Sequence, residues 1–171
     1  MRVVHTDEPL PRKWRGLPGG ERALHIADIA VSYRSRLRLK LLVFKTPRDL
    51  KYFWKAGLGR GDLGRHCVGA VNGLAIERIF FPKKGHPPKP SIIEVDPRYF
   101  AVMGLCTGHL SMEVICHEAG HAAFSYVNRV HNKSLWHGAR DNDEEEVCYP
   151  LGRIASAVTQ SLIEAKILPS H

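Results

Sequence analysis

Ser111-Met112-Glu113-Val114-Ile115-Cys116-His117-Glu118-Ala119-Gly120-His121 is the stretch on which the reading of this chain turns. Ser111 can cap a helix by accepting from the free amides of its first turn, and Glu113 suits the positive helix end. Val114, Ile115, Ala119, Ala122 and Ala123 recur at helical spacing, giving an apolar flank predicted to end near Asn128. His117 and His121 stand four residues apart, on one face and one turn apart, where both imidazoles can reach one metal ion. Glu118 lies beside them. Hydrogen-bonded core histidines would explain the spacing, but not the glutamate between them. Two neutral imidazoles suit zinc, and a carboxylate beside zinc-bound water is the apparatus of metal-assisted hydrolysis.

Composition bounds the setting. The chain has 171 residues, 44% of them hydrophobic, with a slightly negative mean hydropathy; this predicts one domain able to bury a core. No run approaches the roughly 18 apolar residues of a spanning helix, so no membrane partner is expected. Met1 to Pro9 holds no apolar signal core, which points to the cytoplasm. Cys67, Cys106, Cys116 and Cys148 form no C-x-x-C pair, so free, buried thiols are expected, with Cys116 pointing off the histidine face.

Charge is unevenly placed. Residues 1–60 hold 14 Lys and Arg against 5 Asp and Glu, a net of +9, whereas residues 61–171 carry −1. Within the basic third, Arg34, Arg36, Arg38 and Lys40 alternate with Ser35, Leu37, Leu39 and Leu41, which predicts a strand with four cations on one face. Such a face suits nucleic-acid phosphates or an acidic protein; the competing reading is a solvated face that keeps a sheet edge from aggregating.

The rest of the chain yields an α+β outline. Residues 1–20 read as an irregular basic arm, and Ala23 to Val31 as a strand or short helix. The basic strand runs from Ser32 to Phe44. Thr46-Pro47-Arg48-Asp49 starts a helix that stops at Gly57. A flexible glycine-rich loop, Gly57 to Gly64, follows. Val68 to Phe81 reads as strand-rich, with a hairpin about Asn72-Gly73. Pro82 to Pro90 is a surface loop, and Ile92-Ile93-Glu94-Val95 a strand closed by Asp96-Pro97. Val147, Leu151, Ile154, Val158 and Leu162 predict a second helix starting near Asp141 or Asp143, with Pro150 kinking it or delaying its start. The expected fold is a mixed or antiparallel sheet, the histidine-bearing helix, and a C-terminal helix that completes the site.

Met112 to His121 resembles the active-site helix of zincin metallopeptidases, and the likeness extends over residues 92–168 of a single zincin-like domain. It implies zinc-dependent hydrolysis of a protein or peptide, with His117 and His121 as ligands and Glu118 as the general base. A third ligand is required. Phe124 and Val127 stand where the metzincin pattern needs glycine and histidine, which excludes that subclass. Resemblance to gluzincins, among them thermolysin-like and antirestriction proteins, places Glu145 on the ligand position. It also places Tyr149 where the family has an acidic residue that orients a metal histidine. Resemblance to SprT-like proteases points instead to His137-Gly138, sixteen residues after His121; otherwise His137 could serve the oxyanion. His131 is a weaker third option. The alternatives to a plain peptidase are a DNA-associated SprT-like protease and a non-catalytic, antirestriction-type binding module on the same scaffold.

Overall fold

The computed structural model describes residues 17–32, 35–58, 63–64, 67–73, 98–131 and 141–169, excepting the side chains of residues 131 and 141–144. Among these residues four strands form a mixed sheet in the order β1-β2-β4-β3: β1 Ala23–Ala30, β2 Arg38–Phe44, β3 Gly69–Gly73 and β4 Tyr99–Cys106. β1 and β2 are antiparallel, β2 and β4 parallel, and β3 antiparallel to β4. Among the described residues three α-helices pack with the sheet: α1 Pro47–Tyr52, α2 Met112–His131 and α3 Asp141–Glu164. The α+β class therefore stands, and no described helix is long and apolar enough to cross a membrane.

β4 is buried along its whole length, and its sequence YFAVMGLC shows why. A strand covered on both faces reads as a continuous apolar run rather than an alternation. Leu105, Met103 and Ala101 join Leu39, Leu41 and Val43 of β2 against Ile115, Ala119, Ala122 and Ala123 of α2 and Ile154, Val158 and Leu162 of α3. On the opposite face, Val102 and Cys106 join Leu42 and Phe44 against Leu50, Phe53 and Trp54. The register slips at the start of β4, where Arg38 pairs with Tyr99 but Leu39 with Ala101. Phe100 is the extra residue, and the bulge lets it join Ala101 on the helix-packed face, where its ring meets Tyr126 edge-on at 5.2 Å.

Local chemistry sets the other elements. Thr46 caps α1, accepting from the Asp49 amide at 3.2 Å and donating its hydroxyl to the Asp49 carboxylate at 2.6 Å. That bond and Arg22 hold the Asp49 carboxyl below its ordinary value. Past Tyr52 the helix widens into a π turn through Gly57, closed by the Leu58 amide on the Phe53 carbonyl. Gly104 of β4 leaves room for Leu50, which a Cβ there would meet in hard overlap. α3 begins at Asp141 and passes through Pro150 without a break. β1 is tied to α3 by His25 Nε2 and the buried Ser161 hydroxyl, 2.9 Å apart.

Several expectations change. The basic strand begins only at Arg38, and Ala23 to Ala30 is its strand partner. Its cations do not share a solvated face: Lys40 is 2% exposed, ion-paired with Asp28 opposite it, and lies 4.7 Å over the Tyr99 ring. The Tyr99 hydroxyl donates to the same carboxylate at 3.0 Å. The face that carries Lys40 also carries Leu42 and Phe44, so alternation marked two buried sides, not one wet side. Arg38 is half-buried and Arg36 exposed; Arg34 lies outside the described residues. Asn72 and Gly73 are strand residues facing Val102 and Ala101, so no hairpin turns there. The strand leading to the histidine helix is Tyr99–Cys106, and the candidate at 92–95, its Asp96-Pro97 stop and the loop at 82–90 lie outside the described residues, as do residues 1–16 of the arm and 74–81. α2 continues to His131, past Asn128. Only Cys106 is buried; Cys67 is half-buried, and Cys116 and Cys148 are exposed.

Removing one partner of the Lys40–Asp28 pair strands the other. Lys40→Met should cost about 2–3 kcal/mol in urea unfolding, the lower end because Asp28 keeps some solvent contact. Lys40→Met with Asp28→Asn should recover most of that loss; a double variant as weak as the single would show that the charges do not couple.

Candidate metal centre

α2 starts where β4 ends. The strand passes through a single 3-10 turn, Thr107–His109, and the Ser111 hydroxyl then accepts from the Val114 amide at 3.2 Å. Ile115, Ala119 and Ala122 are pulled onto the sheet, which turns His117 and His121 outward, where both are exposed.

The imidazoles converge. Their Nε2 atoms lie 3.2 Å apart, with ring centroids at 4.8 Å and planes at 80°. Two nitrogens bound to one tetrahedral zinc at the usual bond length would be about 3.3 Å apart. The donor set and its spacing therefore fit a zinc ion, and the same distance serves a hydrogen bond between the rings when no ion is held.

Glu118 faces another way. It is 6% exposed, beneath the start of β3, and a Cβ on Gly69 would come within 2.8 Å of its Cγ and 2.9 Å of its Oε1. Farther along, a Cβ on Gly73 would meet the Ser125 hydroxyl at 2.8 Å. The two glycines let β3 lie directly on α2, and Gly69 leaves the space that the carboxylate fills. Burial pushes the Glu118 carboxyl above its ordinary value, and the neighbouring His117 partly opposes that rise. Cys67 stands at the same rim: burial and the Glu118 charge raise its thiol, while its bond to the Gly69 carbonyl and the charge of Lys51 lower it.

The other predicted residues stand as follows. Glu145 and Tyr149 lie in the N-terminal half of α3; both are exposed, Tyr149 by 69%. α3 packs along α2, with Leu151 facing Gly120 and the Thr159 hydroxyl near the Met112 sulfur at 4.0 Å, so the helices run antiparallel. Among the described residues, no group of three His, Cys, Asp or Glu side chains gathers at one point. His137 lies outside the described residues, and of His131 only the backbone is described. The sequence reading gave Gly69, Gly73, Cys67 and Asn128 no role at this site. Asn128 lies on the histidine side of α2, and its Oδ1 is buried with no hydrogen-bond partner. A glycine at each end of a short strand was the only cue to the first two, and it carries no address until the strand is docked.

Comparison with models of protein families, with curated proteins and with solved structures finds no match to the chain.

Gly69→Ala should push the Glu118 carboxylate aside while leaving both imidazoles in place. Zinc bound per chain should be retained, and any peptide hydrolysis should fall at least tenfold; unchanged hydrolysis would show that Glu118 does not need its niche. The raised Glu118 carboxyl has a second consequence. A folded protein that holds the proton more tightly than the unfolded chain loses stability as pH rises above the ordinary carboxyl value of 4.5, and the cost persists at neutral pH. In chelator-treated protein, Glu118→Gln should therefore raise the urea midpoint at pH 7, and the gain should vanish as pH falls below that value.

Proposed function

We propose that the protein is a zinc-dependent metallopeptidase, with His117 and His121 as two of its ligands and Glu118 as its general base. The convergence of the two Nε2 atoms at 3.2 Å, beside a buried carboxylate, carries this reading. Glu145 is the third ligand in this proposal, since it lies on the helix packed along α2 and is the acid the gluzincin resemblance selects. His137 is the alternative.

When bound, zinc would supply a Lewis acid that polarises a carbonyl and makes water acidic enough to lose a proton near neutral pH. The remaining steps belong to the chain. Glu118 takes a proton from the attacking water and passes it to the nitrogen of the departing amine. Its burial suits that task, because a carboxyl raised toward neutrality both accepts and returns a proton readily. The outer edge of β3 has no strand partner among the described residues. A peptide paired along that edge would run past Gly69, over the niche that holds Glu118, with main-chain bonds supplying binding that tolerates varied sequences.

Glu118→Gln tests the base directly: zinc content should stay near that of the wild type and turnover of an unstructured protein substrate should vanish. Retained proteolysis would sink the mechanism. Zinc measured in Glu145→Ala and His137→Ala then decides the third ligand. Loss with Glu145 alone supports the proposed set, and loss with His137 alone transfers the role to that histidine. A wild type that takes up no zinc after reconstitution overturns the peptidase reading in favour of a binding module.

A further inference from the structure

We propose that the end of the sheet where β2 and β4 begin binds the phosphate backbone of nucleic acid, through Arg36 and Arg38 with Arg98 beside them. The two strands are parallel, so their first residues lie together, and Arg38 pairs with Tyr99. The Arg38 amide donates to the Arg98 carbonyl at 2.7 Å, which makes the two arginines neighbours across the strands. The Arg98 guanidinium lies 5.9 Å from the centroid of the Tyr99 ring, and Lys40 Nζ lies 4.7 Å from it. On its other side β2 pairs Arg38 with Ala30 and Lys40 with Asp28, with no slip between them. Arg38 and Lys40, two residues apart on one strand, therefore share a face of the sheet. Arg36 and Arg98 are exposed, and Arg38 is half-buried.

Positive charge is left over here. Among the described residues the acid at this end is Asp28, and its carboxylate is taken by Lys40 and by the Tyr99 hydroxyl at 3.0 Å. Neither Arg36 nor Arg38 has a side-chain ion pair or hydrogen bond among the described residues. The Arg38 guanidinium is thus drawn partly out of water with no counter-ion to offset the lost hydration, and a phosphate would supply one. Ser35 steadies the approach to β2, its hydroxyl accepting from the Leu37 amide at 3.1 Å and its amide donating to the Ser32 carbonyl at 3.4 Å. Protection of a sheet edge does not explain the cations, because β2 is an inner strand bonded to β1 and β4. Arginine suits phosphate better than lysine does, since its planar fork places two parallel hydrogen bonds on one group. An acidic protein would need apolar anchors beside the charge, and among the described residues none of the exposed large hydrophobic side chains belongs to residues 28–40 or 98–99.

This end of the sheet stands apart from the metal centre. Tyr99 packs with the face that α1 covers, whereas α2 covers the other. Binding there needs neither zinc nor peptide hydrolysis. Of the alternating cations that precede and enter β2, Arg36 and Arg38 serve it, because Lys40 is buried with Asp28.

The test is titration of a fluorescein-labelled DNA duplex with the full chain at about 50 to 200 mM salt. The comparison is wild type with Arg36→Gln/Arg38→Gln, and with Lys45→Gln/Arg48→Gln as a control that removes equal charge from exposed positions elsewhere. Wild-type affinity should fall as salt rises. The arginine pair should bind at least tenfold more weakly, with a log–log salt slope smaller by about two, and the control pair should shift little. Arg36→Gln alone, at an exposed position, should already lower the slope by about one, so a folding defect at half-buried Arg38 cannot carry the result. Arg36→Lys/Arg38→Lys keeps the charge and should restore the slope. No wild-type binding at low salt, an unchanged slope in the arginine pair, an equal loss in the control pair, or a lysine pair as weak as the glutamine pair would each overturn the proposal. Equal displacement of the duplex by polyglutamate at matched charge would overturn it in favour of an acidic protein.

Discussion

β4 has to be covered on both faces and paired on both edges, and the remaining architecture follows from satisfying it. Its residues Tyr99 to Cys106 expose almost nothing, so their backbone groups need β2 on one side and β3 on the other. Its side chains need a helical layer on each face: α2 with α3 on one, α1 with its π turn on the other. The parallel pairing with β2 means that the chain between them has to cross over, and α1 is part of that connection. The antiparallel pairing with β3 brings a short glycine-ended strand to the sheet's rim. The start of α2 is then set by where β4 stops.

The candidate centre is a by-product of this packing. Alanines at 119, 122 and 123 let α2 approach the sheet closely, which forces the larger side chains of the helix outward or sideways. His117 and His121 go outward and meet. Glu118 goes sideways, under Gly69, and becomes a buried carboxylate whose proton is held more tightly than in water. One helix thus offers two exposed imidazoles and one sheltered acid, because three neighbouring positions on a 3.6-residue repeat face three different environments. The same logic separates the basic residues of the N-terminal third. Lys40 is paired into the interior, Arg22 lies against Asp49 and Glu21, and Arg48 and Lys55 are exposed on α1 and its π turn.

Legibility in the sequence followed the range of the physics. Thr46-Pro47-Arg48-Asp49 and Ser111 announced helix starts because capping is chemistry among residues three apart, and both caps are present. His117, Glu118 and His121 were legible for the same reason, and so was the apolar period of α3 from Val147 to Leu162. β4 was missed, because a fully buried strand lacks the alternation by which strands are recognised. Asn72-Gly73 looked like a turn by local preference, but pairing with β4 kept both residues extended.

By itself the sequence determined the α+β class, the two long helices, the histidine pair and its glutamate, and the concentration of positive charge in residues 1–60. These are properties of spacing and composition within a few turns of chain. Tertiary structure alone decided that Lys40 lies inside against Asp28, that Gly69 shelters Glu118, and that Arg48 and Lys55 stand exposed on α1 and its π turn. Each of those outcomes depends on which distant segment covers a residue, and burial is a relation between segments that no single stretch of sequence contains.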